Sequence, residues 1–209
     1  MSMQKFFMAS LSLLAVSANS LADDPKAKAE LQSKLAAMQQ YQAEFAQAVV
    51  DVDGELIHEA TGKLTMAQPD KLRWETFSPD ETLLVADGTS VWNLDPFVEQ
   101  VTVINQQTAV QDNPIILLTT ADMSVWNQFD IEYGLPGKHS FVVKPLDGEG
   151  QIKSLSLTFQ GDVLSSLAMT DAQSQVSTLK FASVESEFVL PDSTFRVSIP
   201  DTYVVDDQR

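Results

Sequence analysis

The chain has 209 residues, 29 of them acidic against 13 basic, for a formal net charge of −16. Such a polyanion is repelled by phosphate backbones and anionic headgroups, which sets nucleic-acid binding aside. There is no cysteine, so disulfides, thiolate metal sites, cysteine nucleophiles and a lipid-modified N-terminal cysteine are all excluded. Hydrophobic content of 44% and charged content of 20% are those of an ordinary folded domain, so the acidity does not signal disorder.

Residues 1–22 read as a cleaved signal peptide. Lys5 supplies the positive start, residues 6–16 are apolar, and Ser20-Leu21-Ala22 places small residues at −3 and −1 before Asp23. An apolar run of about eleven residues is too short to span a bilayer as a helix. Residues 23–209 are expected to form a single exported, soluble domain, with the composition of a bacterial periplasmic protein.

Residues 25–40 are rich in Ala, Lys, Glu, Gln and Leu, and Leu31, Leu35 and Met38 form one apolar stripe. Asp24 before Pro25 is an N-cap followed by a first-turn proline. From Tyr41 the period becomes two: Tyr41, Ala43, Phe45, Gln47 and Val49 share a face, and Asp53-Gly54 turns the hairpin. Strands follow at 56–66, 71–77, 82–86, 91–94 and 100–104, separated by Ser78-Pro79, Asp87-Gly88 and Asp95-Pro96.

Asn113-Pro114 reads as a cap opening a helical Ile115-Ile116-Leu117-Leu118, with a second helix over 122–129. Strands resume at 129–134, 140–145, 151–160, 163–170 and 176–183, and a short piece at 203–205 ends the pattern. The loops are of hairpin length, so the expectation is about eleven antiparallel strands in up-and-down order.

Catalytic chemistry is hard to find. Of the two histidines, His58 sits in a strand pattern and His139 at a hairpin. Gly88-Thr89-Ser90 is not a nucleophile elbow, and Asp51-x-Asp53-Gly54 lacks the later ligands of a calcium loop. No enzymatic activity, metal or cofactor is expected. An open sheet with so many large apolar residues needs a cover. The helix at 25–40 and the insert at 113–129 are the candidates, with Leu31, Leu35, Ile115, Ile116 and Leu118 facing the concave side. Whether they close an ordinary core or enclose a cavity for an apolar ligand, the pattern leaves open.

Motif order adds a resemblance. Gly62-x-Leu64 leading to Pro69 and Arg73-Trp74, then Pro79-Asp80-Glu81, Asp87-Gly88 and Val91-Trp92 occur in sequence. They are followed by Asp95-Pro96-Phe97-Val98-Glu99-Gln100-Val101-Thr102, Asn113-Pro114-Ile115-Ile116-Leu117-Leu118 and Val205-Asp206-Asp207-Gln208-Arg209. Across nearly its whole length the chain resembles the LolA family of periplasmic lipoprotein carriers. The sister LolB receptors carry a lipidated N-terminal cysteine, which this chain lacks.

The resemblance implies a mainly β fold: an incomplete antiparallel barrel of about eleven strands, covered by helices that form a lid over an apolar cavity. It implies a monomeric carrier that accepts triacylated lipoproteins from an inner-membrane ABC transporter and delivers them to an outer-membrane receptor. The alternatives are a lipid-sensing half-barrel protein or, less in keeping with the missing nucleophile, an exported hydrolase. Where the family has an arginine that latches the lid to helix carbonyls, this chain has Gln68. Glutamine still donates two hydrogen bonds but has no charge, and Arg73 is the alternative latch if it faces the lid. Leu72 takes a position near the cavity mouth that is often aromatic. Trp74 and Trp92 line the cavity or the sheet core, and Phe97 is expected to support its own turn.

Overall fold

The computed structural model describes residues 24–110, 114–120, 122–135, 139–148 and 150–209. The signal-peptide reading and the Asn113 cap lie outside the described residues.

Helix α1 spans Pro25–Ala37. The Asp24 carboxylate accepts the N–H groups of Lys26 at 2.9 Å and Ala27 at 3.2 Å, satisfying donors that the first turn leaves unpaired. The helix ends three residues short of the sequence expectation, because strand β1 already begins at Gln40. Ala27, Leu31 and Leu35 are buried, one face of the helix. Burying a leucine is worth about 1.5–3 kcal/mol, so this face holds α1 against the sheet. Lys34 ties the exposed side down, donating to Gly161 O and Asp162 Oδ1, both at 2.9 Å.

The strands are β1 Gln40–Val50, β2 Leu56–Ala67, β3 Lys71–Ser78, β4 Thr82–Asp87, β5 Ser90–Asp95 and β6 Gln100–Asn105. After helix α2 (Gln106–Ala109) and two 3-10 turns come β7 Phe129–Tyr133, β8 Ser140–Pro145, β9 Ile152–Gln160, β10 Val163–Asp171 and β11 Val176–Glu185, then β12 Val204–Asp207. They form one open twelve-stranded sheet in the order β12-β6-β5-β4-β3-β2-β1-β11-β10-β9-β8-β7.

This order corrects the up-and-down expectation. Two meanders, β1–β6 and β7–β11, join where β1 pairs with β11. The chain then crosses the sheet so that β12 lies parallel to β6, over a connection long enough for such a crossover. The insert also departs from expectation, forming 3-10 turns at Pro114–Leu118 and Val125–Gln128 in place of two helices. Thr119, Thr120 and Ser124 between them are weak helix formers.

The inner face carries the main core, with Phe45, Leu64, Leu72, Leu157, Leu167 and Leu179 among its strand members and α1 and the 3-10 turns packed on them. Over β4–β6 the outer face is apolar as well. There Val85, Val101 and Val103 are covered by Phe195, Leu190, Val197 and Ile199 of the connection to β12. At one edge of the sheet the Asp24 N–H donates to Ile131 O on β7 at 3.0 Å. The other edge is β12 itself, paired with β6 on one side.

At Gly62 a Cβ would stand 2.0 Å from Glu75 O and 2.4 Å from the Phe45 ring. Gly62→Val is expected to cost about 2–4 kcal/mol, read as a fall in the urea unfolding midpoint. A midpoint equal to that of the unsubstituted protein would show that the β2–β3 approach is not constrained at this position.

Candidate functional site

The apolar inner face and the segments seated on it are the candidate site. Ile115, Ile116, Leu117 and Leu118 are buried on this face together with Val125 and Trp126, and Leu31 and Leu35 meet them from α1. These side chains are buried on the face where the sequence suggested an apolar cavity. A cleft of about 390 Å³ remains at the rim, between Leu35, Gln39, Gln68, Pro69, Met123 and Trp126. A larger groove of about 1160 Å³ lies on the outer face against Lys71, Asp87, Trp92, Phe188 and Arg196. Its lining is mixed, and it reaches the rim, where Gln39 and Gln68 line both the groove and the cleft.

Gln68 stands where the two covering elements meet. Its Nε2 donates to Leu35 O, near the end of α1, at 3.3 Å and to Leu118 O, the last residue of the first 3-10 turn, at 3.2 Å. One uncharged amide thus bridges both elements at the β2–β3 turn. Beside it the Asp70 N–H donates to Thr119 O at 2.8 Å. Gln106, which the sequence did not single out, braces the same end: its Oε1 accepts the Gly88 N–H at 3.0 Å and its Nε2 donates to Asp70 O at 2.8 Å.

Leu72 is completely buried, and Trp74 is partly buried with its ring 5.1 Å from that of Phe45. Both share the inner face with Leu31, Leu35, Ile115, Ile116 and Leu118. Two of the expected residues lie elsewhere. Trp92 is on the outer face, where its indole packs with Val85 and Phe195 and its Nε1 donates to Asp87 Oδ2 at 2.8 Å. Side chains alternate along a strand, and on β5 it is Val91 that points inward. Arg73 is also on the outer face. It donates to Thr194 O at 3.2 Å and pairs with Glu75 at 2.6 Å, away from the Leu35 and Leu118 carbonyls that Gln68 reaches. Tyr41 was missed as a site-side residue. Its buried hydroxyl donates to Leu164 O at 2.8 Å and so joins β1 to β10 across β11, while burial pushes its pKa up.

Behind the sheet, the Asp87 carboxylate organises a second cluster. It accepts from Thr89 N at 2.8 Å, Ser90 N at 2.9 Å and the Trp92 indole, and the Arg209 guanidinium lies 5.6 Å from the Trp92 ring. Burial acts to raise the Asp87 pKa, but the hydrogen bonds from Ser90, Trp92 and Thr89, with Arg209 nearby, hold it below the usual carboxylate range. Among the described residues no group of three or more His, Cys, Asp or Glu side chains is placed to hold a metal ion. No helix among them is long and apolar enough to cross a membrane.

Residues 36–198 match the family model described as outer membrane lipoprotein carrier protein LolA. This chain belongs to the LolA family. Its relatives include a protein from Shewanella amazonensis named outer-membrane lipoprotein carrier protein, 37% identical over 190 residues and covering 90% of each chain. A protein of the same name from Aeromonas salmonicida is 35% identical over 208 residues, covering 99% of this chain and 100% of its own. Among solved structures, an uncharacterized conserved protein from Thermus thermophilus matches with a TM-score of 0.54 at 14% identity, over 86% of this chain and 98% of that one. That last likeness is one of fold.

Gln68→Leu removes both bridging hydrogen bonds and leaves two carbonyls without that donor. Local opening is expected to become easier by about 1–2 kcal/mol, which is roughly five- to thirty-fold faster amide exchange at Thr119 and Asp70. Unchanged exchange there would remove Gln68 from the latch. Asp87, with its folded pKa depressed, stabilises the protein above its unfolded value of about 3.9 and loses that contribution as pH falls through the lower folded value. Between pH 6 and 3 the urea midpoint of Asp87→Asn is expected to fall less steeply than that of the unsubstituted protein. Parallel curves would assign the acid sensitivity to other carboxylates.

Proposed function

We propose that the chain is a periplasmic lipoprotein carrier. It takes triacylated lipoproteins from an inner-membrane ABC transporter, holds their acyl chains against the inner face of the sheet, and yields them to an outer-membrane receptor. Family membership supports the activity, and one structural observation carries the mechanism. The apolar face is covered by α1 and two short 3-10 turns that bind it through side chains and the Gln68 bridge, not by strand pairing.

The physical need for a carrier is large. Three acyl chains of about sixteen carbons contain roughly forty-five methylenes, and at about 0.8 kcal/mol each their exposure to water would cost on the order of 35 kcal/mol. The protein faces a smaller version of the same problem. Lifting Ile115, Ile116, Leu117, Leu118, Val125 and Trp126 off the sheet exposes six large side chains, at about 1.5–3 kcal/mol each. The unassisted closed protein therefore opens rarely. When acyl chains take the place of these side chains, one apolar contact is exchanged for another and the net cost is small. In this scheme the transporter supplies the work of opening, and unloading needs only a receptor that holds the chains more tightly.

Leu31, Leu35, Ile115, Ile116 and Leu118 act as the movable cover, Leu72 and Trp74 as the fixed wall, and Gln68 as the latch between them. The protein works as a monomer and carries out no chemical step of its own. The wall assignment does not extend to Trp92, which lies behind the sheet.

The test is a release assay on bacterial spheroplasts that hold labelled lipoprotein in the inner membrane, to which purified residues 23–209 are added. The expected outcome is a soluble one-to-one complex in the supernatant, dependent on ATP and on the acyl chains. Absence of release, with the protein folded and its cognate transporter present, would overturn the carrier reading.

A further inference from the structure

On the outer face, β2, β3 and the connection from β11 to β12 border a groove of about 630 Å³. In a chain of net charge −16, three cations line it: Lys63 and Arg73 from the sheet, and Arg196 from the connection. The register accounts for the sheet half. Thr65 stands directly opposite Arg73, and Lys63 directly opposite Glu75. Alternate residues of a strand share a face, so these four project outward while Leu64, Met66, Leu72 and Trp74 face the inner core. The connection half is set by its own turns. The Arg196 N–H donates to Ser193 O at 3.0 Å, and the Thr194 carbonyl accepts from Arg73 Nη1 at 3.2 Å.

The donors of the groove are not spent on one another. Arg73 is engaged by Glu75 and by Thr194 O. The Lys63 ammonium and the Arg196 guanidinium make no ion pair or hydrogen bond among the described residues. Glu44 faces Lys63 from β1, but its carboxylate accepts from the Ser183 hydroxyl at 3.3 Å instead. The hydroxyls of Thr65 and Ser193 line the same groove and have no partner among the described residues either. Thr65 is only 3% exposed, so an occupant of the groove would pair a hydroxyl that bulk water barely reaches.

We propose that this groove binds a small soluble phosphate, inorganic or a monoester, held by Lys63, Arg196 and the Thr65 hydroxyl beside Arg73. The inference goes beyond the carrier reading and does not rest on it. A phosphate offers at least three acceptor oxygens to converging donors, whereas a carboxylate offers only two. An anionic membrane surface is disfavoured as the source, because the chain as a whole is strongly acidic. Donors come from both the sheet and the connection, so the bound ion cross-links them and pins the outer cover to β2 and β3.

The test follows the thermal midpoint and the amide exchange of residues 23–209 while phosphate is titrated against chloride at equal ionic strength. A saturable rise in the midpoint is expected with phosphate. At about ten times its Kd, exchange at Thr194 and Arg196, whose N–H groups bond to Pro191 O and Ser193 O, should slow about tenfold. Lys63→Gln/Arg196→Gln is expected to bind about thirty-fold more weakly, with an unchanged urea midpoint in phosphate-free buffer. Should the double variant be unstable, Arg196→Gln alone, at an exposed position, is expected to lose about tenfold. A response to phosphate no larger than to chloride, or an equal response in the variants, overturns the proposal. Equal protection of the same amides by an oligoglutamate peptide would replace phosphate with a carboxylate ligand and overturn it too. Glycerol phosphate and phosphatidate vesicles separate the sources. Binding of the soluble ester supports the site, while Lys63-dependent flotation with vesicles and no response to soluble phosphates would make the ligand a lipid headgroup and sink the soluble assignment.

Discussion

A twelve-stranded sheet that does not close on itself, antiparallel except for the β12–β6 pair, has a continuous apolar face to keep dry and two edges to manage. Much else in the molecule follows from these requirements. Helix α1 and the two 3-10 turns are seated on the inner face and bury their own apolar side chains there. The connection between β11 and β12 lies across the outer face, where β4–β6 are also apolar. The backbone at Asp24 meets one edge, and β12 forms the other. Each covering piece is held mainly by side-chain burial, which is non-directional and therefore reversible without breaking the sheet's hydrogen-bond ladder.

The two faces are covered in different ways. Behind the sheet, Arg73 reaches Thr194 O in the covering connection, while Asp87 organises its own hairpin by accepting from two backbone N–H groups and the Trp92 indole. On the inner face a neutral amide holds two carbonyls at the rim, and α1 is also tied by the Lys34–Asp162 ion pair.

The sequence made α1 legible because three independent signals agreed: the Asp24-Pro25 start, helix-forming composition and the Leu31–Leu35 stripe. The strands were legible through alternation and turn residues. The face of Trp92 was not, because Val91 and Trp92 are both large and apolar and a period of two cannot choose between them. The missing information lay a hundred residues away, in Leu190, Phe195, Val197 and Ile199, whose apolar spacing needed a surface to cover. The parallel placement of β12 was hidden for the same reason: its partner β6 is remote in sequence, and local turn chemistry says nothing about it. The insert misled in another way. Pro114 and the apolar run after it suggested a helix, but two β-branched isoleucines and the polar residues that follow support only short turns.

The chemistry of Gln68 also bears on how the protein responds to its medium. A guanidinium at that position would bring a formal charge to the meeting point of two carbonyl-bearing elements, and its grip would vary with ionic strength. The carboxamide neither titrates in the ordinary range nor attracts counter-ions. The Gln68 contact is thus insensitive to the salt and acidity of the surrounding fluid, whereas the exposed Lys34–Asp162 pair that also ties α1 responds to both.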